Sequence, residues 1–376
     1  MEIKNYSDLV DFPSDKLVLQ GRKLLLSLYK TGVEAVNPYE IVKNALKYDP
    51  DISTVKIRNF SHILKTDKIW VIGVGKAVGR MAEAVENIFS SHKLSGTICV
   101  PEGVKSSLNL NNIRVLESSH PLPSKKNIEN TKIVIDTVKQ IKSKDLVISL
   151  ISGGGSALWA SPIAPISLDD LRALNQVLIR SGMSIHEVNI VRKHVSNIKG
   201  GKFTKMIPCV NLSLIISDVI GDNIESIASG PFFPDSSTYL SVQRILEKYN
   251  LQNESLPSHV YNILRKGLKG EIEETPKKND AVFNKVHNYV LGSNKIARKA
   301  ISERAKGLGI NTIDKEELVE KNARYIGKKL FLESKEILQE ESSVILYISG
   351  GEPIIHVLGS GIGGRNQEVV GGFLEE

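Results

Sequence analysis

The stretch Asp145–Ser156, DLVISLISGGGS, decides how the chain is read. Leu146 to Ile151 is a short apolar run with several β-branched residues, the composition of a strand buried on both faces of a parallel sheet. It breaks at once into Ser152, Gly153, Gly154, Gly155 and Ser156. Three consecutive glycines remove every Cβ, so backbone N–H groups can turn toward one point and approach an anion closely, while the serines add hydroxyl donors. In open α/β sheets ligands sit at the carboxyl ends of strands, often against a helix N-terminus. Taken alone, a glycine turn that holds no ligand accounts for the segment equally well.

Working back toward the N-terminus, the same alternation recurs. Residues 1 to 50 look helical, with Leu17, Leu24, Leu25, Leu26 and Leu28 crowding one segment and Pro38 opening another. Lys68 to Gly73, KIWVIG, reads as the first buried strand, followed by a glycine turn and a helix whose apolar face holds Ala77, Met81, Ala84, Val85 and Ile88. Gly73-x-Gly75-x-x-x-Gly79 is only a loose relative of a dinucleotide fingerprint. Lys76 is the sharper feature, because a cation at the start of a helix opposes the macrodipole unless an anion sits there too. A solvated lysine on the first turn is the alternative. Gly96 to Pro101 and Ile113 to Glu117 read as further strands, and the second runs into Ser118, Ser119, His120 and Pro121. His120 could reach the same sheet edge, as a hydrogen-bonded loop residue or as a catalytic one. A helix from about Asn127 to Lys142 leads back to the glycine loop. Alternating strand and helix of this kind predicts a doubly wound parallel sheet.

Working forward, Ser167 and Ser184 stand as caps at the start of two helices. The second closes on Arg192, Lys193, Ser196, Asn197, Lys199, Gly200 and Lys202, either a solvated helix end or a surface facing phosphate. Asn197 and Lys199 are counted as candidates for binding substrate or phosphate. Leu212 to Ile216 is again a buried strand, ending in Ser217, Asp218, Val219, Ile220, Gly221 and Asp222. Two carboxylates so placed suit a hydrated Mg²⁺, which takes one or two carboxylates and leaves the rest to water and phosphate. Asp-Gly turn chemistry competes with that reading. The lysine- and glutamate-rich stretch near 265 to 279 suits a domain junction. Tyr289 to Gly292, helices from about Asn294 and Val319, and the strand Val344 to Ile348 suggest a second α/β unit. It ends in Gly350, Gly351 and Glu352, then Gly359, Gly361, Gly363, Gly364, Arg365, Asn366, Gln367 and Glu368. Arg365 can grip a phosphoryl or carboxylate group bidentately, and the neighbouring amides suit a polyhydroxylated molecule. A glycine-rich surface loop with a solvated arginine is the alternative.

Bulk properties narrow the class. A chain of 376 residues suits two domains, and 41% apolar with 24% charged residues is ordinary for a soluble globular protein. The excess of 49 Lys and Arg over 42 Asp and Glu favours anionic ligands. With 6% aromatics and no basic block interleaved with them, nucleic acid is a poor explanation of that charge and a phosphorylated small molecule a better one. Cys99 and Cys209 lie in apolar contexts without metal-ligand spacing and read as reduced core residues. No signal peptide or bilayer-spanning stretch is visible, so a cytoplasmic protein with no membrane partner is expected. Self-association into a homo-oligomer is left open.

Eight ordered segments together resemble the MOFRL-type glycerate kinases, the type 2 glycerate kinases. They are GVGKAVGRM (73 to 81), SSHPLP (118 to 123), ISGGGSAL (151 to 158), EVNIVRKHVSNIKGGK (187 to 202), SDVIGD (217 to 222), IASGP (227 to 231), GGE (350 to 352) and GGRNQE (363 to 368). The resemblance implies ATP-dependent phosphorylation of D-glycerate with Mg²⁺. It also implies a Rossmann-like doubly wound parallel sheet domain plus a smaller α/β domain, with the active site in the interdomain cleft. The expected bounds are 1–245 for the large domain and 246–376 for the small one. Carried over by motif, Lys76 and Arg365 form the catalytic pair, the loop Ser152, Gly153, Gly154, Gly155, Ser156 cradles phosphate or carboxylate, Asp218 or Asp222 holds the metal, and Glu352 and Asn366 orient glycerate. Members usually continue past GGRNQE through another strand and a DGTDG-like motif, whereas this sequence stops at Glu376. A truncated small domain with an open sheet edge is therefore expected. Product at carbon 2 is favoured over carbon 3. Two other readings stand beside the kinase: a hydroxypyruvate reductase, against which the incomplete fingerprint argues, and a truncated protein that binds nucleotide or glycerate without turnover.

Overall fold

The protein is described here by a computed structural model covering residues 2–11, 15–65, 68–251, 255–315, 322–340, 344–355 and 363–376. Six strands make the central sheet: β1 (Lys68–Val74), β2 (Lys93–Pro101), β3 (Ile113–Ser118), β4 (Leu146–Ile151), β5 (Val210–Ile216) and β6 (Val286–Gly292). Their order is β3-β2-β1-β4-β5-β6, and the pairs from β3 across to β5 are parallel. The winding reverses between β1 and β4, the switch point at which such sheets open a crevice beyond their carboxyl ends. Register makes those ends level, since Val74 lies opposite Ile151 and Ile151 opposite Ile215.

The apolar runs explain the layering. All six residues of β4 are buried, as a strand covered on both faces must be. Alternate residues pass to opposite faces. Ile69, Val71, Ile148 and Leu150 join Met81, Ala84 and Val85 of α1 (Val78–Ile88) in one cluster. Trp70, Ile72, Val74, Val147 and Ile151 join Val134 and Val138 of α2 (Lys125–Val138) in the other. Each fully buried side chain of this size contributes about 1.5–3 kcal/mol. Cys99 and Cys209 are buried and unpaired, and burial pushes both thiols up to about 12.

After β4 come the short α3 (Gly155–Leu158), α4 (Leu168–Arg180) and α5 (Ile185–His194). The expected caps are formed: Ser167 Oγ accepts from the Asp170 N–H at 3.1 Å and Ser184 Oγ from the Glu187 N–H at 3.3 Å. With α6 (Tyr239–Lys248) and α7 (Ser258–Leu268) these helices close a third apolar cluster around Leu174, Leu178, Val191 and Val260. A three-stranded antiparallel sheet spans Leu46–Asp49, Thr54–Ile57 and Phe60–Ile63, so the helical reading of residues 1 to 50 ends at Ala45.

The chain divides into two compact units, Pro38–Leu291 and a second made of Met1–Asn37 with Gly292–Glu376. The division therefore falls near 291 rather than at the expected 245, and β6, read from sequence as the start of the second unit, is the edge strand of the large sheet. In the second unit β7 (Asn311–Asp314) and β8 (Ile345–Ile348) pair in parallel. The N-terminal helix Lys16–Ala35 lies along α8 (Asn294–Gly307) with Leu28 and Ala305 in their shared core. Helices α9 (Ala323–Glu340) and α10 (Arg365–Leu374) approach closely enough that a Cβ on Gly372 would stand 2.2 Å from the Arg324 carbonyl oxygen. Among the described residues no helix is long and apolar enough to cross a membrane.

Candidate active site

The level strand ends of the large unit bring four segments together. The Lys76 N–H, just after β1, donates to the Gly153 carbonyl at 2.9 Å, and the Ala77 N–H donates to Ser152 Oγ at 3.0 Å. The glycine loop is thus stitched to the start of α1. Gly154 has φ +84°, and a Cβ there would stand 3.1 Å from Cδ2 and Nε2 of His120 and 3.2 Å from Cε of Lys76. A Cβ on Gly153 would lie 2.0 Å from Oδ2 of Asp218. The bare backbone is what lets Lys76, His120 and Asp218, from the ends of β1, β3 and β5, gather on the loop after β4. Among the described residues neither the Gly153 nor the Gly154 amide donates a hydrogen bond to the chain. Lys76 and Asp218 are exposed.

Burial and the nearby Lys76 cation hold the His120 imidazole below its ordinary pKa, with Asp218 opposing them. Its loop is anchored by Asn127, which is fully buried on α2. The Asn127 side chain accepts from the Ser119 N–H at 3.1 Å and donates to the Ser119 carbonyl at 2.9 Å and the Ala157 carbonyl, in α3, at 2.8 Å. One amide therefore ties the His120 loop to the segment behind the glycines.

Asp222 sits in a left-handed turn at φ +53°, and its Oδ1 is buried without a hydrogen-bond partner. Among the described residues no three His, Cys, Asp or Glu side chains cluster as metal ligands. Mg²⁺ asks for less, one or two carboxylates with water and phosphate completing the shell, and an orphaned carboxylate oxygen four residues along the chain from Asp218 suits that demand.

The cationic run after α5 turns inward instead of toward a ligand. Lys199 is buried and donates to the Ser156 carbonyl at 2.8 Å and the Trp159 carbonyl at 3.4 Å. Burial, with Arg192 adding repulsion, brings it down to about 7. Lys202 donates to the carbonyls of Lys193 and Ser196, and Lys193 pairs with buried Asp235 at 3.1 Å. Asn197 donates to the Pro162 carbonyl at 2.8 Å. Ser156 Oγ lies 2.7 Å from Ser229 Oγ, which donates to Asn189. Asn197, Lys199 and Ser156 thus brace the loop's surroundings.

In the second unit Arg365, the first residue of α10, reaches Glu352 at 2.8 Å with both side chains more than half exposed. A pair that open is worth about 0–1 kcal/mol and yields readily to a ligand. Gly350 is pressed on Asn294, where a Cβ would stand 2.1 Å from Oδ1. Asn366 is exposed beside Arg365. Gly359 and Gly361 lie outside the described residues.

A family described as "Domain of unknown function (DUF4147)" matches residues 24–265. The glycerate 2-kinase of Pyrococcus horikoshii is 39% identical over 362 residues, covering 94% of this chain and 79% of that protein. The D-glycerate 2-kinase of Thermotoga maritima is 32% identical, covering 93% and 77% respectively. The chain belongs to the glycerate kinase family. Solved structures agree. A crystal structure of a Pyrococcus horikoshii protein superposes with a TM-score of 0.77 at 35% identity over 97% of this chain and 81% of its own, and that of a Thermotoga maritima glycerate kinase with 0.75 at 32% over 93% and 78%. For a glycerate kinase His120, which the sequence offered as a loop or a catalytic residue, joins the constellation, and its anchor Asn127 is the member that sequence reading missed. The SSHPLP segment signalled the first; the second is marked locally only as the partner of Ser124 in a capping box, and its ties to Ser119 and Ala157 span 8 and 30 residues.

Proposed function

We propose that this glycerate kinase transfers the γ-phosphoryl group of ATP to D-glycerate and releases 2-phosphoglycerate. The observation that carries the reading is the convergence of Lys76, Asp218 and two unengaged glycine amides at the switch point of the sheet, in a chain so similar to glycerate 2-kinases along its length. Phosphoryl transfer asks for positioning and charge neutralisation more than covalent chemistry. Lys76 and the Gly153 and Gly154 amides supply donors and positive charge to phosphate oxygens. Asp218 and Asp222 are the residues that would hold Mg²⁺, which when bound neutralises charge on the phosphates. Arg365 exchanges Glu352 for the transferred group and stabilises the charge spread over it, while Glu352 and Asn366 orient glycerate. Lys199 and Asn197 act at one remove, by fixing main-chain carbonyls beside the loop. A cytoplasmic location accords with the absence of a spanning helix among the described residues and with an ATP-dependent reaction.

The reductase reading loses its motif here. Gly79, the last residue of the loose fingerprint, faces Leu108, where a Cβ would stand 2.5 Å from Cδ1, so packing accounts for that glycine. The test pairs two assays on one preparation: ADP formation with D-glycerate, and NADH oxidation with hydroxypyruvate. We expect turnover in the first alone. Turnover in the second alone would reverse the assignment, and neither, from folded protein that ATP and glycerate stabilise thermally, would leave a binding protein.

A further inference from the structure

His120 has no task in the site as drawn so far. Its side chain makes no hydrogen bond to the rest of the chain among the described residues, yet the loop that carries it is held on three sides. Asn127 takes both main-chain groups of Ser119, and the Ser119 hydroxyl donates to Ser124 at 2.9 Å. A solvated histidine needs no such anchoring. The edge of the ring bearing Nε2 faces the same bare Cα of Gly154 as Cε of Lys76. The charged groups around it are Lys76, from the end of β1, and Asp218, from the end of β5.

Given the glycerate kinase reading, we infer that Nε2 of His120 takes the proton of the glycerate hydroxyl that attacks the phosphoryl group. The step balances within the reactants. The hydroxyl O–H bond breaks and its proton passes to the imidazole. The freed electron pair forms the new O–P bond, the bond from the γ-phosphorus to its bridging oxygen breaks, and ADP departs with that pair. The imidazolium then returns its proton to solvent, which reaches the exposed ring. A neutral imidazole is the form that can accept, and the Lys76 cation and partial burial favour it. Lys76 as an ammonium has no lone pair to offer, and Asp218 stands beside Gly153 at the metal-holding side.

The test compares the parent chain with His120→Ala and His120→Gln under saturating ATP and Mg²⁺, with and without millimolar imidazole. Both variants should lose about 10²-fold or more in kcat, the range of general-base catalysis, while KM for D-glycerate stays within about threefold. Added imidazole should restore at least about tenfold of that loss to His120→Ala and nothing to His120→Gln. A purely structural role for the ring would not respond to imidazole. The inference fails if kcat of folded His120→Gln stays within about threefold of the parent, if the loss lies in KM alone, or if imidazole leaves His120→Ala unchanged. A parent chain that forms no ADP from D-glycerate would sink the kinase reading and this step with it; a working parent beside an unimpaired His120→Gln would sink this step alone.

Discussion

Lys199 donates to two main-chain carbonyls and makes no ion pair with a carboxylate among the described residues. In the sequence it is one of four cations within eleven residues and reads as a phosphate ligand. What the sequence cannot show is that Ser156 and Trp159, some forty positions away, fold over it and leave it no water. The consequence is measurable as pH-dependent stability. Below about pH 7 folded and unfolded chains both carry the proton, and the fold bears the full penalty of a buried cation. Between there and the ordinary 10.5 the unfolded chain still binds the proton that the fold has released, so stability rises with pH. In chemical denaturation, the parent should therefore gain on Lys199→Met by up to about 1.4 kcal/mol per pH unit between pH 7 and 9. A difference that does not change with pH would mean that Lys199 keeps its proton throughout.

At the scale of elements, the glycine loop owes its shape to the strand before it and to two neighbours that brace it. From β4 the strand and its sudden stop were plain, because six buried residues, all apolar but Ser149, followed by Ser152 and three glycines admit few other structures. The braces were not. Asn127 sits at the third position of α2, where a Glu or Gln ordinarily completes a capping box, and here the asparagine does so with Ser124. Its second task, joining Ser119 to Ala157, is created by the packing of α2 against the sheet. Replacing it with alanine would strand several buried main-chain groups at once, and we expect a loss of about 3 kcal/mol together with a fall in kcat. Thermal unfolding and steady-state kinetics would check both; an unchanged melting temperature would show that water takes over the amide's role. The same distinction explains β6. Val286 to Val290 are only half-buried, as befits an edge, and such a strand carries too weak an apolar signal to reveal from sequence which sheet it joins.

For the whole molecule, the alternation of strands and helices up to the glycine loop was enough to predict a doubly wound sheet, and the order β3-β2-β1-β4-β5-β6 bears it out. The bounds of the units were not legible, because the first 37 residues pack with the last 85 and such a pairing leaves no mark in local composition. Gly32 makes the point: it is an unremarked helical glycine until Ile301 lies against it, where a Cβ would stand 2.5 Å from Cδ1. Of the candidate site, Lys76, Asp218 and the glycine loop are brought together as their strand-end positions suggested, Arg365 and Glu352 pair in the other unit, and Asn197 and Lys199 face main chain. The most direct measurement is proton-coupled ³¹P NMR of the chain incubated with D-glycerate, ATP and Mg²⁺. Phosphorylation at carbon 2 predicts a new phosphomonoester resonance split into a doublet by a single CH proton. A triplet from a CH₂ group would move the transfer to carbon 3, and the absence of any new resonance from folded protein would contradict the kinase itself.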